Sequence, residues 1–339
     1  MAGRTWILLA LLGCIVGTGT ACRKGAREAA ETIVLGAYTV PKEVYEEKII
    51  PAFKKLWKEK TGKDVTFETS YVASGAQARA IAGGFEADVA ALSLEGDVDL
   101  LVEAGLIKHD WKANPYGGMI TASVVALGVR PGNPKGIRTW EDLTRADVDV
   151  ITPDPATSGG AMWDINAIWG AALRAAHGDE RAAMDMLRRV RARIKALDAS
   201  GRESMATFER GVGDVAITYE NELLLRLRKG RTYDIVIPPS TLRIDNPAAI
   251  VDANVDRHGN REVVGAFLQF LWSDEAQGYF AEYGFRPVVP AVAEQVAERF
   301  PAPEDLFTMA DLGGWKAIRE KLYSPSGIWA QVNRAAAGQ

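Results

Sequence analysis

The chain is poor in the residues that build most metal and nucleophile chemistry. Its 339 residues include only two cysteines and three histidines. Cys14 and Cys22 both fall at the N-terminus, so the body has no thiol, no disulfide and no cysteine-based metal site. His109, His177 and His258 are scattered, with no H-E-x-x-H or similar ligand spacing. No G-x-S-x-G elbow surrounds a candidate nucleophile, and no P-loop lysine follows a glycine-rich turn. An excess of one charge is also missing. Forty Lys and Arg face 44 Asp and Glu, a net charge of −4. That balance gives no electrostatic basis for a nucleic-acid or anionic-membrane partner. With 47% hydrophobic and 25% charged residues, disorder, a fibre and a multi-span membrane protein are set aside.

The N-terminus reads as an address. Arg4 precedes an apolar run from Trp6 to Val16, then the small and polar residues 17–21, then Cys22. The run is shorter than the roughly 20 residues of a membrane span and has the layout of a secretory signal. A cysteine directly after small residues resembles a bacterial lipoprotein signal, although Gly19 stands where an aliphatic residue is usual. Lipidation at Cys22 and ordinary cleavage nearby are the two outcomes. Residues 1–21 are then signal and 22–31 a charged tether.

The body alternates strand and helix patterns. Strands are expected at 33–38, 65–71, 88–94, 122–130, 148–152, 195–198 and 214–219. Helices are expected at 41–60, 74–84, 97–105, 160–176, 179–193 and 204–211, with Pro51 kinking or splitting the first. Repeated strand–helix units point to parallel sheet covered by helices, the α/β class.

Three strand-to-helix junctions share one chemistry: Tyr38-Thr39-Val40-Pro41, Val72-Ala73-Ser74-Gly75 and Thr157-Ser158-Gly159-Gly160. A helix start offers unpaired N–H groups and the positive end of the helix dipole. Glycine lets an anion approach the backbone, and Ser or Thr adds a hydroxyl. Taken singly, Ser74 and Thr39 are explained by helix capping more often than by ligand binding. The two glycines after Ser158 exceed what a cap requires. A Ser158 nucleophile would need a base, and the sparse histidines supply none. His109 and His177 read as solvent-facing and His258 as part of a polar turn. The pair Glu220/Glu222 reads as a cap or a hinge salt bridge.

The segments 38–57, 74–89, 131–134 (PGNP), 151–163 (ITPDPATSGGAMW), 207–222 (TFERGVGDVAITYENE), 284–287 and 312–316 together resemble the periplasmic sulfate/thiosulfate-binding proteins of ABC importers. The likeness runs through nearly all of the chain beyond the signal. It implies a periplasmic-binding-protein-like (type II) α/β fold, two doubly wound lobes joined by a hinge. Residues 31–118 plus 243–300 would form one lobe and 119–242 the other, with crossovers near 118–122 and 238–245. Residues 301–339 would pack back as a helical segment.

Carried over residue by residue, the family's sulfate contacts fall on Thr39 and Ser74 from one lobe. Ser158, Gly159, Gly160, Gly201 and Tyr219 come from the other. Thr39 stands where many members have Asp, Gly201 where they have Ala, and Tyr219 where some have Trp. An indole N–H only donates, whereas a phenol also accepts. The resemblance implies a monomeric, non-enzymatic binding protein outside the cytoplasm, using no cofactor or metal. It would hand sulfate to an ABC permease and touch the membrane only through a lipid on Cys22. Sulfate is fully ionised and presents only acceptors, so a pocket of neutral donors satisfies it. A protonated oxyanion such as hydrogen phosphate demands an acceptor. Thiosulfate, molybdate and phosphate stay open as alternatives.

Overall fold

A computed structural model describes residues 31–337. Cys22 and the leader lie outside the described residues, and Glu31 already opens a strand. The strands are β1 (Glu31–Tyr38), β2 (Val65–Val72), β3 (Val89–Ala91), β4 (Met119–Val129) and β5 (Val150–Pro153). They continue with β6 (Ile194–Asp198), β7 (Val215–Tyr219), β8 (Asp234–Val236), β9 (Ser240–Ile250) and β10 (Asp305–Phe307). β1 is apolar at nearly every position and its second half is buried at every residue, as a strand covered by helices on both faces requires.

Two parallel groups form. β1 pairs with β2 and β3, and β5 pairs with β6 and β7. The long strands β4 and β9, 11 residues each, run antiparallel between them. β9 starts beside β10, continues along β4 and ends on β3. β4 ends on β7. The resulting order is β2-β1-β3-β9-β4-β7-β5-β6, with β8 on β4 and β10 on β9. Pro247 lies inside β9, where a missing N–H would normally break a ladder. It faces Met119 at the point where the register with β4 shifts, so no ladder bond is lost there.

The first helix is split as Pro51 requires. A short turn of helix (Lys42–Val44) widens into a π-helical turn (Tyr45–Ile49) and resumes as Ile50–Thr61, with Pro51 in the new first turn. The wider turn absorbs the hydrogen bond that proline cannot donate. Gly62 ends this helix in the left-handed region at φ 76°. Three helices follow β9: Asp252–His258, Arg261–Phe270 and Asp274–Glu282. After residue 301 come β10 and short helical pieces. Trp315 packs edge-on to Trp163 at 4.8 Å, and Tyr323 donates to Asn166 Oδ1 at 2.8 Å. Among the described residues no helix is long and apolar enough to cross a membrane.

Phe53, 1% exposed, joins the first helix to the β9-following helices. Its ring meets Trp57, Phe67, Phe267 and Phe270 at centroid distances of 5.1–6.1 Å. Phe53→Ala is expected to cost about 3–5 kcal/mol of stability. Urea unfolding followed by tryptophan fluorescence measures it. A midpoint unchanged from the parent would place the core elsewhere.

Candidate functional site

The carboxyl ends of the parallel strands lead to one region, the place where open α/β sheets hold ligands. β1 delivers Thr39, β3 delivers Ser93, β5 delivers Ser158, β6 delivers Gly201 and β7 delivers Tyr219. Ser158, Gly159, Gly160, Gly201 and Tyr219 are all buried.

Ser158 is the N-cap of the helix Gly159–Ala175, in extended conformation, yet its side chain makes no capping bond. Ordinarily a serine there would satisfy one of the first amides. Here the hydroxyl stays uncommitted, and the amides of Gly159, Gly160 and Ala161 precede any intrahelical acceptor. Both glycines are required by close approach. A Cβ on Gly159 would lie 2.7 Å from Ser93 Oγ and from Leu94 Cδ2. A Cβ on Gly160 would lie 3.1 Å from the Tyr219 ring and 3.2 Å from Ser158 Oγ.

Tyr219 Oη lies 2.6 Å from Ser93 Oγ. Ser93 N–H donates to Ser74 Oγ at 2.9 Å, and the Ser93 carbonyl accepts from Trp163 Nε1 at 2.9 Å and Asn246 Nδ2 at 2.8 Å. Burial holds the Tyr219 phenol well above its ordinary pKa, so it keeps its proton. Ser93 was not among the residues singled out from sequence. Its only signal there was a serine at the end of an apolar strand.

Two junctions differ in detail from the sequence reading. Ser74 is the first helical residue and Ala73 the N-cap. Its hydroxyl donates to Asp97 Oδ2 at 2.5 Å, so it is not a free donor. What Ser74 has left for a ligand is its backbone N–H at the helix start. Asp97 is buried, and desolvation raises its pKa to about 6 in spite of that hydrogen bond. Thr39 likewise caps no helix, because the N-cap is Pro41. Gly201 opens the helix Gly201–Glu209 behind Ser200, whose side chain accepts from Glu203 N–H. A Cβ on Gly201 would meet nothing within 4 Å, so only its amide is of consequence there.

Most charged groups around the Thr39 and Gly201 junctions are paired with one another. Arg202 bonds Glu43 at 2.5 and 2.8 Å and the Val40 carbonyl at 3.1 Å, and Lys229 bonds Glu43 at 2.8 Å. Burial works against the Glu43 charge, but the Arg202 and Lys229 bonds outweigh it and hold its pKa at about 2. Glu222 pairs with Arg226 at 2.7 Å, and Glu220 with Arg286 at 2.7 Å. The acidic pair of the sequence is thus a pair of salt bridges. His177 is exposed, and His109 bonds Asp252 Oδ2 at 2.7 Å. His258 is not in a loop: it ends a helix, 2.8 Å from Asp88 Oδ1. None of the three reaches Ser158. Among the described residues no group of three His, Cys, Asp or Glu could hold a metal ion.

A family model described as bacterial extracellular solute-binding protein matches residues 35–286. The sulfate-binding protein of Synechococcus elongatus is 42% identical over 341 residues, covering 100% of this chain and 96% of its own. The thiosulfate-binding protein of Pseudomonas aeruginosa is 33% identical, covering 91% and 94%. The solved structure of the sulfate-binding protein SubI from Mycobacterium tuberculosis superposes with a TM-score of 0.80 at 39% identity, covering 87% of this chain and 100% of that one.

The Ser158 junction also has a signature that needs no ligand. Asp164, one turn into the same helix, is buried and accepts from Thr152 Oγ1 at 2.7 Å, fixing the helix to β5. Burial raises its pKa to about 7. The folded state then binds this proton more tightly than the unfolded chain, so stability falls as pH rises from about 4 towards 7. Asp164→Asn removes that loss. Urea midpoints of parent and variant should diverge from acid to neutral pH, and a constant difference would mean the carboxyl is not protonated in the fold.

Proposed function

The chain belongs to the bacterial extracellular solute-binding protein family, and we propose that it captures sulfate between two lobes and delivers it to an ABC permease. The lobes are residues 31–118 with 243–300, and 119–242, hinged at β4 and β9. Residues 301–337 pack across them. It works outside the cytoplasm as a monomer without enzymatic activity, held to the membrane by a lipid on Cys22. The named relatives and the SubI likeness support sulfate, with thiosulfate as the close second.

One observation carries the reading: a buried N-cap serine with an unused hydroxyl, at the head of three free amides, two of them on glycines packed closely against Ser93 and Tyr219. The proposed ligand set is Thr39, Ser74, Gly159, Gly160 and Gly201 through backbone N–H, with the Ser158 and Tyr219 hydroxyls. Each bond to a dianion contributes about 1.5–3 kcal/mol. Together they offset the large cost of taking the ion out of water. Because the donors come from both lobes, the ligand favours the closed state, which a permease can read.

Titration calorimetry with sulfate tests this. A single site is expected, with sulfate and thiosulfate competing. Ser158→Ala should weaken sulfate binding about tenfold or more. Gly160→Val should weaken it further by blocking approach to the amides. Unchanged affinity in both variants would remove this junction from the site, and turnover of a sulfate or phosphate ester would overturn the non-enzymatic reading.

A further inference from the structure

Glu43 and Arg202 each follow a proposed amide donor, and they meet each other. Glu43 stands four residues after Thr39, and Arg202 comes directly after Gly201. Nη1 and Nη2 of Arg202 bond the two carboxylate oxygens of Glu43 at 2.5 and 2.8 Å, a bidentate pair. Nη2 also donates to the Val40 carbonyl at 3.1 Å, so one guanidinium holds both the carboxylate and the turn that carries Thr39. The Glu43 side chain is 14% exposed and that of Arg202 28%. Lys229 Nζ adds a further bond to Glu43 at 2.8 Å.

Arg202 has a second partner that does not involve Glu43. Its Nε lies 3.1 Å from Oε1 of the buried Glu222. Arg226 bonds the same Glu222 oxygen and also Glu209. Arg202, Arg226, Lys229, Glu209 and Glu222 all lie within residues 119–242, the second lobe of the proposed function. Glu43 is the member of this network from the other lobe. With the lobes apart, those five groups keep one another, whereas Glu43 faces water.

A carboxylate near an anion site can act in two ways of opposite sign. As a charge it repels a dianion, and removing it should tighten binding. As a contact made only with the lobes together it stabilises the closed state, and removing it should loosen binding. Two cations already cancel the Glu43 charge, while its bidentate and largely buried geometry keeps the contact strong. The contact is the larger effect.

We propose that Glu43 is an interlobe latch: by pairing with Arg202 it holds the Thr39 and Gly201 amides on opposite sides of one sulfate ion and sets how slowly that ion leaves. This rests on the two-lobe sulfate reading above. Glu43 does not touch the ligand in this scheme; it is a positioning residue. The latch forms after the anion has entered, so it acts on release and not on capture.

The experiment measures sulfate association and release on the full chain by stopped-flow tryptophan fluorescence, for the parent, Glu43→Gln and Glu43→Asp. Glu43→Gln should release sulfate about tenfold faster or more, with association no slower than the parent's. Glu43→Asp keeps the charge but loses the reach, so its release rate should fall between the two. Urea midpoints without sulfate should match the parent's, because the open form lacks the latch. The proposal is overturned if Glu43→Gln holds sulfate as long as the parent or longer, or if Glu43→Asp matches the parent, which would assign the effect to charge. It is also overturned if the loss appears in association, or if the sulfate-free midpoint falls with it. A parent that binds no sulfate overturns the sulfate reading, and the latch with it.

Discussion

Ser93 uses its N–H, its carbonyl and its hydroxyl at once, and each bond reaches a different element. The N–H ties the Ser74 helix to the end of β3. The carbonyl gathers Trp163 from the Gly159 helix and Asn246 from β9. The hydroxyl meets Tyr219 at the end of β7. In a region this buried, any of these groups left unpaired would cost the full price of its lost hydration. The demand that all be satisfied together fixes how the two parallel groups of strands face each other. It also fixes where the free amides of the Gly159 helix point.

The chemistry of the site follows from keeping charge elsewhere. Beside Thr39, Arg202, Lys229 and Arg226 are paired in one network with Glu43, Glu222 and Glu209. What the Ser74, Gly159 and Gly201 helix starts present is dipolar: backbone amides, with the Ser158 hydroxyl beside them. Such groups hold their orientation through the backbone, so in the proposed site a ligand would meet donors already aimed and no counter-charge to displace. The net charge of −4 therefore says nothing about the sign of the ligand.

Much of this was legible in the sequence, and the exceptions have physical causes. The strands and helices up to Tyr219 follow hydrophobic periodicity closely. The Ser158-Gly159-Gly160 junction stood out because two glycines exceed a cap. β9 gave no such pattern. Its stretch Ser240–Ile250 carries Arg, Asp, Asn and Pro, because it is shared among three partner strands and passes Pro247 at a register shift. β10, three residues long, is too short for any period. Ser74 looked like a donor because a hydroxyl at a helix start usually is free or capping. Asp97, 23 residues away, accepts its hydrogen bond, and nothing local announces that.

From the sequence alone came most of the strands and helices up to Tyr219, the confinement of both cysteines to the first 22 residues and the Ser158-Gly159-Gly160 junction. These depend on residue type and spacing, which the chain carries openly. Only the tertiary structure decided which hydroxyls are free and which are committed, that Ser93 belongs with Tyr219, and that the acidic residues are paired. Those outcomes depend on single hydrogen bonds of about 3 Å between residues tens to more than a hundred positions apart. Spacing along a chain holds no record of such distances.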